Sequence, residues 1–259
     1  MDQKWFDIQA EALGAVLAEQ GLGLPVPTVL SATYAAPPVD SLAAFIDHTL
    51  LKPQAGAKEF EQLVKDAREY GFASVCVNPA YVKSVRGMLG DSPVKVCTTI
   101  GFPLGANTTT VKVMEVRDAL ANGAEEFDMV LAVGLFKDQD YAGVYEDISS
   151  VVRAAAGCVV KVILETGLLT KEEIARACLL TKMAGAHFVK TATGFSGGGA
   201  AVEDIELMRR IVGSEFGVKA SGGIRDRAAA EAMIHAGANR IGTSSGVAIV
   251  SGSQGGSDY

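Results

Sequence analysis

The chain reads as a (β/α)8 TIM barrel with an extra N-terminal helix, and three observations point there. Eight short β-rich runs alternate with helical segments, which means parallel strands joined by right-handed crossovers. Residues 42–250 supply the roughly 200 residues that closure of such a barrel needs. Several helices end in a glycine just before the next strand (Gly71, Gly123, Gly157, Gly185 and Gly237), where glycine permits the left-handed turn that closes a helix. A doubly wound open sheet is the other arrangement of such elements. Its GxGxxG fingerprint does not follow the first strand.

Residues 2–20 predict one amphipathic helix, with Ile8, Ala12, Leu13, Val16 and Leu17 on one side. Residues 21–41 hold Gly21, Gly23, Pro25, Pro27, Pro37 and Pro38 and read as a linker or extended wrap. From residue 42 the barrel rhythm begins. Strands are expected at 45–49, 74–78, 95–101, 126–131, 159–165, 188–192, 217–221 and 240–243. Helices are expected at 58–70, 79–89, 108–122, 140–156, 170–184, 202–213 and 226–236. The runs Gly-Ala-Glu, Gly-Ala-His and Gly-Ala-Asn after Asn122, Met183 and His235 are weak internal repetition of one βα unit. The division is thus a helix and linker (1–41), a barrel (42–250) and a tail (251–259). The tail is polar and glycine-rich and ends in Tyr259. It reads either as a disordered terminus or as a segment that folds Tyr259 back over the loops after the last strands.

Of 259 residues, 49% are hydrophobic and 20% charged, which allows a sizeable core and excludes disorder for most of the chain. Lys plus Arg number 23 and Asp plus Glu 30, a net charge of −7. That balance suggests no basic face for nucleic acid, and no run of eighteen apolar residues suggests a membrane span. Cys76, Cys97, Cys158 and Cys178 form no CxxC pair and sit in apolar runs, as buried thiols of a reducing cytoplasm do. His48, His187 and His235 lack metal-ligand spacing, so no metal is expected. The acidic start (Asp2, Asp7, Glu11, Glu19) has no continuous apolar stretch and does not read as a signal peptide.

In a barrel of this kind the chemistry sits at the C-terminal ends of the strands, and a charge inside a strand is costly unless paired. The informative residues are therefore Asp47, Asp128, Lys161, Lys190 and Lys219, each inside an apolar run, with Glu165 at the end of the fifth. Strand side chains alternate between the barrel interior and the helix layer. A lysine facing the helix layer would have no partner, whereas one facing the axis can meet a carboxylate. The bland alternative is a structural ion-pair network, which suits Lys161 or Asp47 taken alone. Two neighbouring lysines are harder to explain by stability, because they repel. The repulsion has a chemical use. A neighbouring ammonium in a dry pocket brings a lysine from ~10.4 toward ~7–8, and the neutral amine forms a Schiff base with a carbonyl.

Two glycine-rich turns follow the seventh and eighth strands, Ser221-Gly222-Gly223-Ile224-Arg225 and Gly242-Thr243-Ser244-Ser245-Gly246. Loops at those places are a frequent phosphate site in barrels. Glycines let backbone N–H groups approach an anion, and serines add hydroxyl donors. A third stretch, residues 194–199, follows the sixth strand. It also matches GxSxG at Ser196, with Asp226 and His235 in the order of a hydrolase triad. Ser196 follows a strand while His235 leads into one, so the two belong to opposite faces of the barrel.

The segments DHTLLKP, ASVCVNPAYV, CTTIGFPLGANTT, EEFDMVLAVG, VKVILETGLLT, FVKTATGF, GVKASGGIR and RIGTSSGVAIV resemble, in order from about residue 44 to 250, the 2-deoxyribose-5-phosphate aldolase family. The likeness is to its shorter bacterial form, with an added N-terminal segment. It implies a class I lyase that reversibly cleaves 2-deoxy-D-ribose 5-phosphate to D-glyceraldehyde 3-phosphate and acetaldehyde without a cofactor. By resemblance, Lys190 is the Schiff-base lysine, Lys219 the lysine that perturbs it, and Asp128 the proton relay. Lys161 and Asp47 support the polar network, and Thr49 lines the small donor pocket. Gly194, Gly222, Gly223, Ser244 and Ser245 hold the phosphate. The resemblance also implies a homodimer; Cys76, on the second strand near the pocket, reads as packing. A non-catalytic sugar-phosphate barrel, or another sugar-phosphate lyase or isomerase, are the competing readings. The latter would need a carboxylate or histidine base and no lysine pair.

Overall fold

A computed structural model describes residues 1–27 and 42–253. After helix α1 (Gln3–Glu19), eight parallel strands alternate with helices: β1 (Ile46–Leu50), α2 (Ala57–Tyr70), β2 (Ser74–Val77), α3 (Val82–Leu89), β3 (Lys95–Ile100), α4 (Thr109–Ala121) and β4 (Glu126–Val130). Two helices, α5 (Val133–Lys137) and α6 (Tyr141–Ala154), then lead to β5 (Val159–Ile163). The rest is α7 (Lys171–Met183), β6 (Phe188–Lys190), α8 (Val202–Val212), β7 (Gly217–Ser221), α9 (Arg227–Ala236), β8 (Arg240–Thr243) and α10 (Gly246–Ser251). The strands pair in chain order, and β8 returns to β1 to close a (β/α)8 barrel.

Local chemistry explains the boundaries. Thr170 and Glu173 cap α7 reciprocally: the Thr170 hydroxyl accepts the Glu173 N–H at 3.3 Å, and the Glu173 carboxylate accepts the Thr170 N–H at 2.8 Å. The five glycines expected to end helices (Gly71, Gly123, Gly157, Gly185 and Gly237) all have positive φ, from 68° at Gly71 to 121° at Gly237. β2, β3 and β4 each end one residue before the expected bound, and two strands stop two residues short. β5 stops at Ile163, and two residues later Glu165 turns to φ 59°; β6 stops at Lys190. The helix expected from residue 79 opens as a 3-10 turn at Pro79–Tyr81. Helix α5 was not anticipated, because VGLFK is too short to show a helical period.

The alternation along each strand sets the two layers of the core. Val75, Val77, Val96, Phe127, Met129, Val160, Val162, Val189, Val218 and Ile241 face the helices and are buried. The polar residues between them face the axis. Helix α1 packs on α6 and α7, along the outer wall of the barrel. Asp2 caps it by accepting the Trp5 N–H at 3.0 Å. Phe6, Leu13 and Leu17 are its buried apolar residues, and Arg176 donates to the Gln9 amide oxygen at 2.9 Å. Ile8, expected on the apolar side, is 48% exposed, and Phe6 takes the buried position under the Arg210 guanidinium at 4.7 Å.

Candidate active site

The five charged residues picked out from the strands meet on the barrel axis. Lys190 and Lys219 are register partners on β6 and β7, and Asp128 and Lys161 on β4 and β5. Asp128 is the hub. Its Oδ2 accepts from Lys190 Nζ at 2.8 Å and Lys219 Nζ at 2.7 Å, while Oδ1 accepts from Lys161 Nζ at 2.9 Å. Asp47 Oδ2 lies 2.5 Å from Lys219 Nζ and 3.8 Å from Lys161 Nζ. Lys161 and Lys219 are fully enclosed, and the Lys190 side chain keeps 5% exposure.

The sequence alone suggested two ammonium groups side by side. The structure interposes a carboxylate oxygen, so the lysines approach each other without bare repulsion. Burial alone would push the Asp128 carboxyl up; the lysine ammoniums outweigh it and hold it well below the ordinary carboxylate range. Burial likewise opposes the Lys219 charge, yet Asp128 and Asp47 together raise Lys219 well above an ordinary lysine. Lys219 is thus a permanent cation beside Lys190.

Several members of the cluster escaped the sequence reading. Glu126 Oε2 lies 2.6 Å from Lys161 Nζ, and Arg240 Nη1 donates to Asp47 Oδ1 at 2.7 Å and to Glu126 Oε2 at 3.1 Å. Ser74 donates to Asp47 Oδ1 at 2.6 Å, and the Cys97 thiol to Asp128 Oδ1 at 3.2 Å. Glu126 stands two residues before Asp128, hence on the same face of β4, and that spacing was the available signal. Each of the eight strands therefore contributes to the cluster. Glycines make it fit. A Cβ on Gly217 would overlap the Phe188 ring, and one on Gly242 would come within 2.8 Å of Lys219 Cε.

Among the described residues, one group offers clustered metal-type donors: Cys76, Cys97 and Asp128, with atoms within 4.8 Å of one another. The Asp128 oxygens are already taken by ammonium groups, and Lys161 Nζ is 3.5 Å from Cys97 Sγ. A cation there would face three others. Cys76 and Cys97 are register partners, and the hydrogen bond from Cys97 lowers the Cys76 thiol below its ordinary value.

Thr49 lies two residues beyond Asp47 on the same face of β1, its hydroxyl donating to the Asp47 carbonyl at 2.8 Å. Gly194, Gly222–Gly223 and Ser244–Ser245 occupy the loops after β6, β7 and β8, along one side of the mouth. The three glycines have φ of 85°, 92° and 78°. The Ser245 N–H is already donated to Thr243 Oγ1 at 2.9 Å, which leaves Ser245 its hydroxyl to offer. Ser244, Ser245 and Thr49 line a cleft of about 480 Å³ between α2 and α10 that Lys190 does not line. Tyr259 lies outside the described residues. The GxSxG residues do not form a triad: Ser196 donates to Glu165 at 3.2 Å, Asp226 caps α9, and His235 sits in the last turn of α9.

The family model for DeoC/LacD family aldolases matches residues 41–252. Deoxyribose-phosphate aldolase 1 of Oceanobacillus iheyensis is 58% identical over 219 residues, covering 84% of this chain and 99% of its own length. The deoxyribose-phosphate aldolase of Exiguobacterium sibiricum is 59% identical over 220 residues, 85% of this chain and 100% of its own. Among solved structures, the tetrameric deoxyribose phosphate aldolase of Aeropyrum pernix superposes with a TM-score of 0.76 at 37% identity, covering 81% of this chain and 89% of that one. A crystal structure from Coccidioides immitis gives 0.84 at 40% identity and covers 97% of both chains.

Proposed function

This chain belongs to the DeoC/LacD family of aldolases, and from that premise we propose that it reversibly cleaves 2-deoxy-D-ribose 5-phosphate through a Schiff base on Lys190. The products are D-glyceraldehyde 3-phosphate and acetaldehyde. The observation that carries this reading is the convergence of Lys190 and Lys219 on one oxygen of Asp128, with Lys190 the lysine of the cluster that keeps access to the mouth.

The chemistry follows from those positions. The Lys190 amine, as the free base, adds to C1 of the open-chain sugar, and loss of water leaves a protonated imine that serves as the electron sink. Asp128, with Lys219 beside it, takes the proton of the C3 hydroxyl as the C2–C3 bond breaks. The bonding electrons form the enamine of acetaldehyde, and glyceraldehyde 3-phosphate departs. Protonation at C2 and hydrolysis then free acetaldehyde and restore the amine. Lys161 and Asp47 support this network, and Thr49 lines the space for the two-carbon fragment. Gly194, Gly222, Gly223, Ser244 and Ser245 hold the phosphate with backbone N–H groups and hydroxyls. The catalytic unit in this reading is residues 42–250, with 1–41 and 251–259 appended and Tyr259 assisting proton transfer.

We further propose a homodimer in the cytoplasm. The four cysteines are free, and among the described residues no helix is long and apolar enough to cross a membrane, which is consistent with that setting. The test is to incubate the protein with acetaldehyde, reduce with borohydride and map the adduct by mass spectrometry. The adduct is expected on Lys190 and absent in Lys190→Ala; an adduct elsewhere, or none, overturns the reading.

A further inference from the structure

Glu165 stands apart from the lysine cluster and carries two features that are expensive to keep. Its backbone is left-handed, at φ 59° and ψ 59°, although it is not glycine. Its carboxylate is buried, the residue being 2% exposed, with no cationic partner among the described residues. Strain of the first kind persists only where the surroundings over-determine it, and a buried carboxylate must find compensating donors.

All of those donors come from one short loop. Both carboxylate oxygens accept the Thr193 N–H at 3.3 Å, and Oε2 accepts the Thr193 hydroxyl at 2.5 Å and the Ser196 hydroxyl at 3.2 Å. The Thr193 hydroxyl in turn accepts the Phe195 N–H at 3.1 Å. This loop leaves β6 three residues after Lys190, and Gly194 lies between the two residues that Glu165 grips. Beyond it the chain threads between its neighbours with no room for side chains. A Cβ on Gly198 would come within 3.3 Å of the Gly167 Cα, and one on Gly199 within 2.9 Å of the Gly222 carbonyl.

We propose that Glu165 is a positioning residue that sets the conformation of loop 193–196 and thereby the phosphate-binding side of the mouth. It touches neither the reacting carbons nor Lys190. Its effect reaches the substrate only through Gly194 and the backbone around it. The inference rests on the phosphate site proposed above and adds the device that holds one wall of that site in shape.

The test compares two sugars, 2-deoxyribose 5-phosphate and 2-deoxyribose, with wild type, Glu165→Gln and Glu165→Gly. Glutamine places an amide donor against the Thr193 N–H. Glycine keeps the left-handed backbone without steric conflict and removes only the carboxylate, so it serves if the glutamine variant fails to fold. Both variants are expected to raise KM for the phosphorylated sugar about ten- to hundred-fold, the range for losing hydrogen bonds to a charged group. The kcat for that sugar, and both constants for 2-deoxyribose, should move far less. Amide hydrogen exchange at Thr193 and Phe195 should quicken in the intact protein. Equal losses on the two sugars, or unchanged exchange in the loop, overturn the role assigned to Glu165. Wild type is read separately: if it does not favour the phosphorylated sugar, the phosphate site falls, while the exchange measurement still decides whether Glu165 orders the loop.

Discussion

Lys190 and Lys219 stand opposite one another on neighbouring strands and meet on a single oxygen of Asp128, at 2.8 and 2.7 Å. Their two nitrogens are therefore no further apart than the sum of those contacts. Asp128 is what makes the proximity tolerable, and Lys219, flanked also by Asp47, keeps its charge.

Replacing the hub should damage stability and turnover together. In Asp128→Asn, Lys161, Lys190 and Lys219 lose the carboxylate they share. A broken buried ion pair costs about 3–5 kcal/mol, and loss of a proton-transfer group about 10²–10⁴ in rate. Chemical denaturation and steady-state kinetics on the same preparation check both. Wild-type stability in the variant would show that the cluster carries no structural burden.

Lys219→Met should separate nucleophile from neighbour. Turnover is expected to fall by about 10²–10⁴, whereas borohydride should still trap an adduct on Lys190. Loss of the trapped adduct together with turnover, in a variant that still folds, would make Lys219 itself the attacking amine.

Gly242→Ala examines the packing beneath the chemistry. The new methyl would come within 2.8 Å of Lys219 Cε and 3.1 Å of Ser221 Cβ. Overpacking of this kind costs about 1–3 kcal/mol, and here the strain falls on a lysine held at both ends of its reach by Asp47 and Asp128. A folded protein with reduced kcat is expected from circular dichroism and kinetics, and full activity would mean that Lys219 has slack.

His48 sets an acid limit distinct from that of the cluster. Burial pushes it from 6.5 down to about 4, more than the Asp66 carboxylate at 3.8 Å can offset. The unfolded chain therefore binds a proton in that window that the native state refuses. Stability is full above about 6.5 and is lost as the pH falls toward 4, by about 3 kcal/mol. Asp47 and Asp128, held low by the cations around them, lose their contribution only in stronger acid. Urea unfolding at pH 7 and pH 4 should show the loss in wild type and a smaller one in His48→Gln. Equal losses would assign the acid sensitivity to other groups.

The barrel and its central charges were legible because both leave periodic marks. A lysine within VVKVILE or HFVKTATG has only the axis to face, and the helix-ending glycines announce each return to the sheet. What stayed hidden depends on contacts between distant segments. Arg240 and Glu126 each stand at the first residue of an expected strand with no local partner, and only the closure of β8 on β1 brings Arg240 to Asp47 and Glu126. Gly217 read as an ordinary strand residue and Gly242 as the head of a phosphate-type turn, since the ring and the lysine that need their space come from other strands. Ile8 was misjudged because the apolar stripe was drawn through Ile8, Ala12 and Val16; Phe6 lies about 200° round the helix from Ile8, on the stripe with Leu13 and Leu17 that is buried.

Because every strand contributes to the central charges, their order along the chain has a consequence for synthesis. Asp47, Glu126 and Asp128 leave the ribosome first; Lys161, Lys190, Lys219 and Arg240 follow. A nascent chain thus carries its acids long before their counter-charges, and the guanidinium that bridges Asp47 and Glu126 arrives close to the end. Under the mechanism proposed for Lys190, reactivity toward aldehydes is then a property of the finished ring, withheld from every incomplete length of the polypeptide.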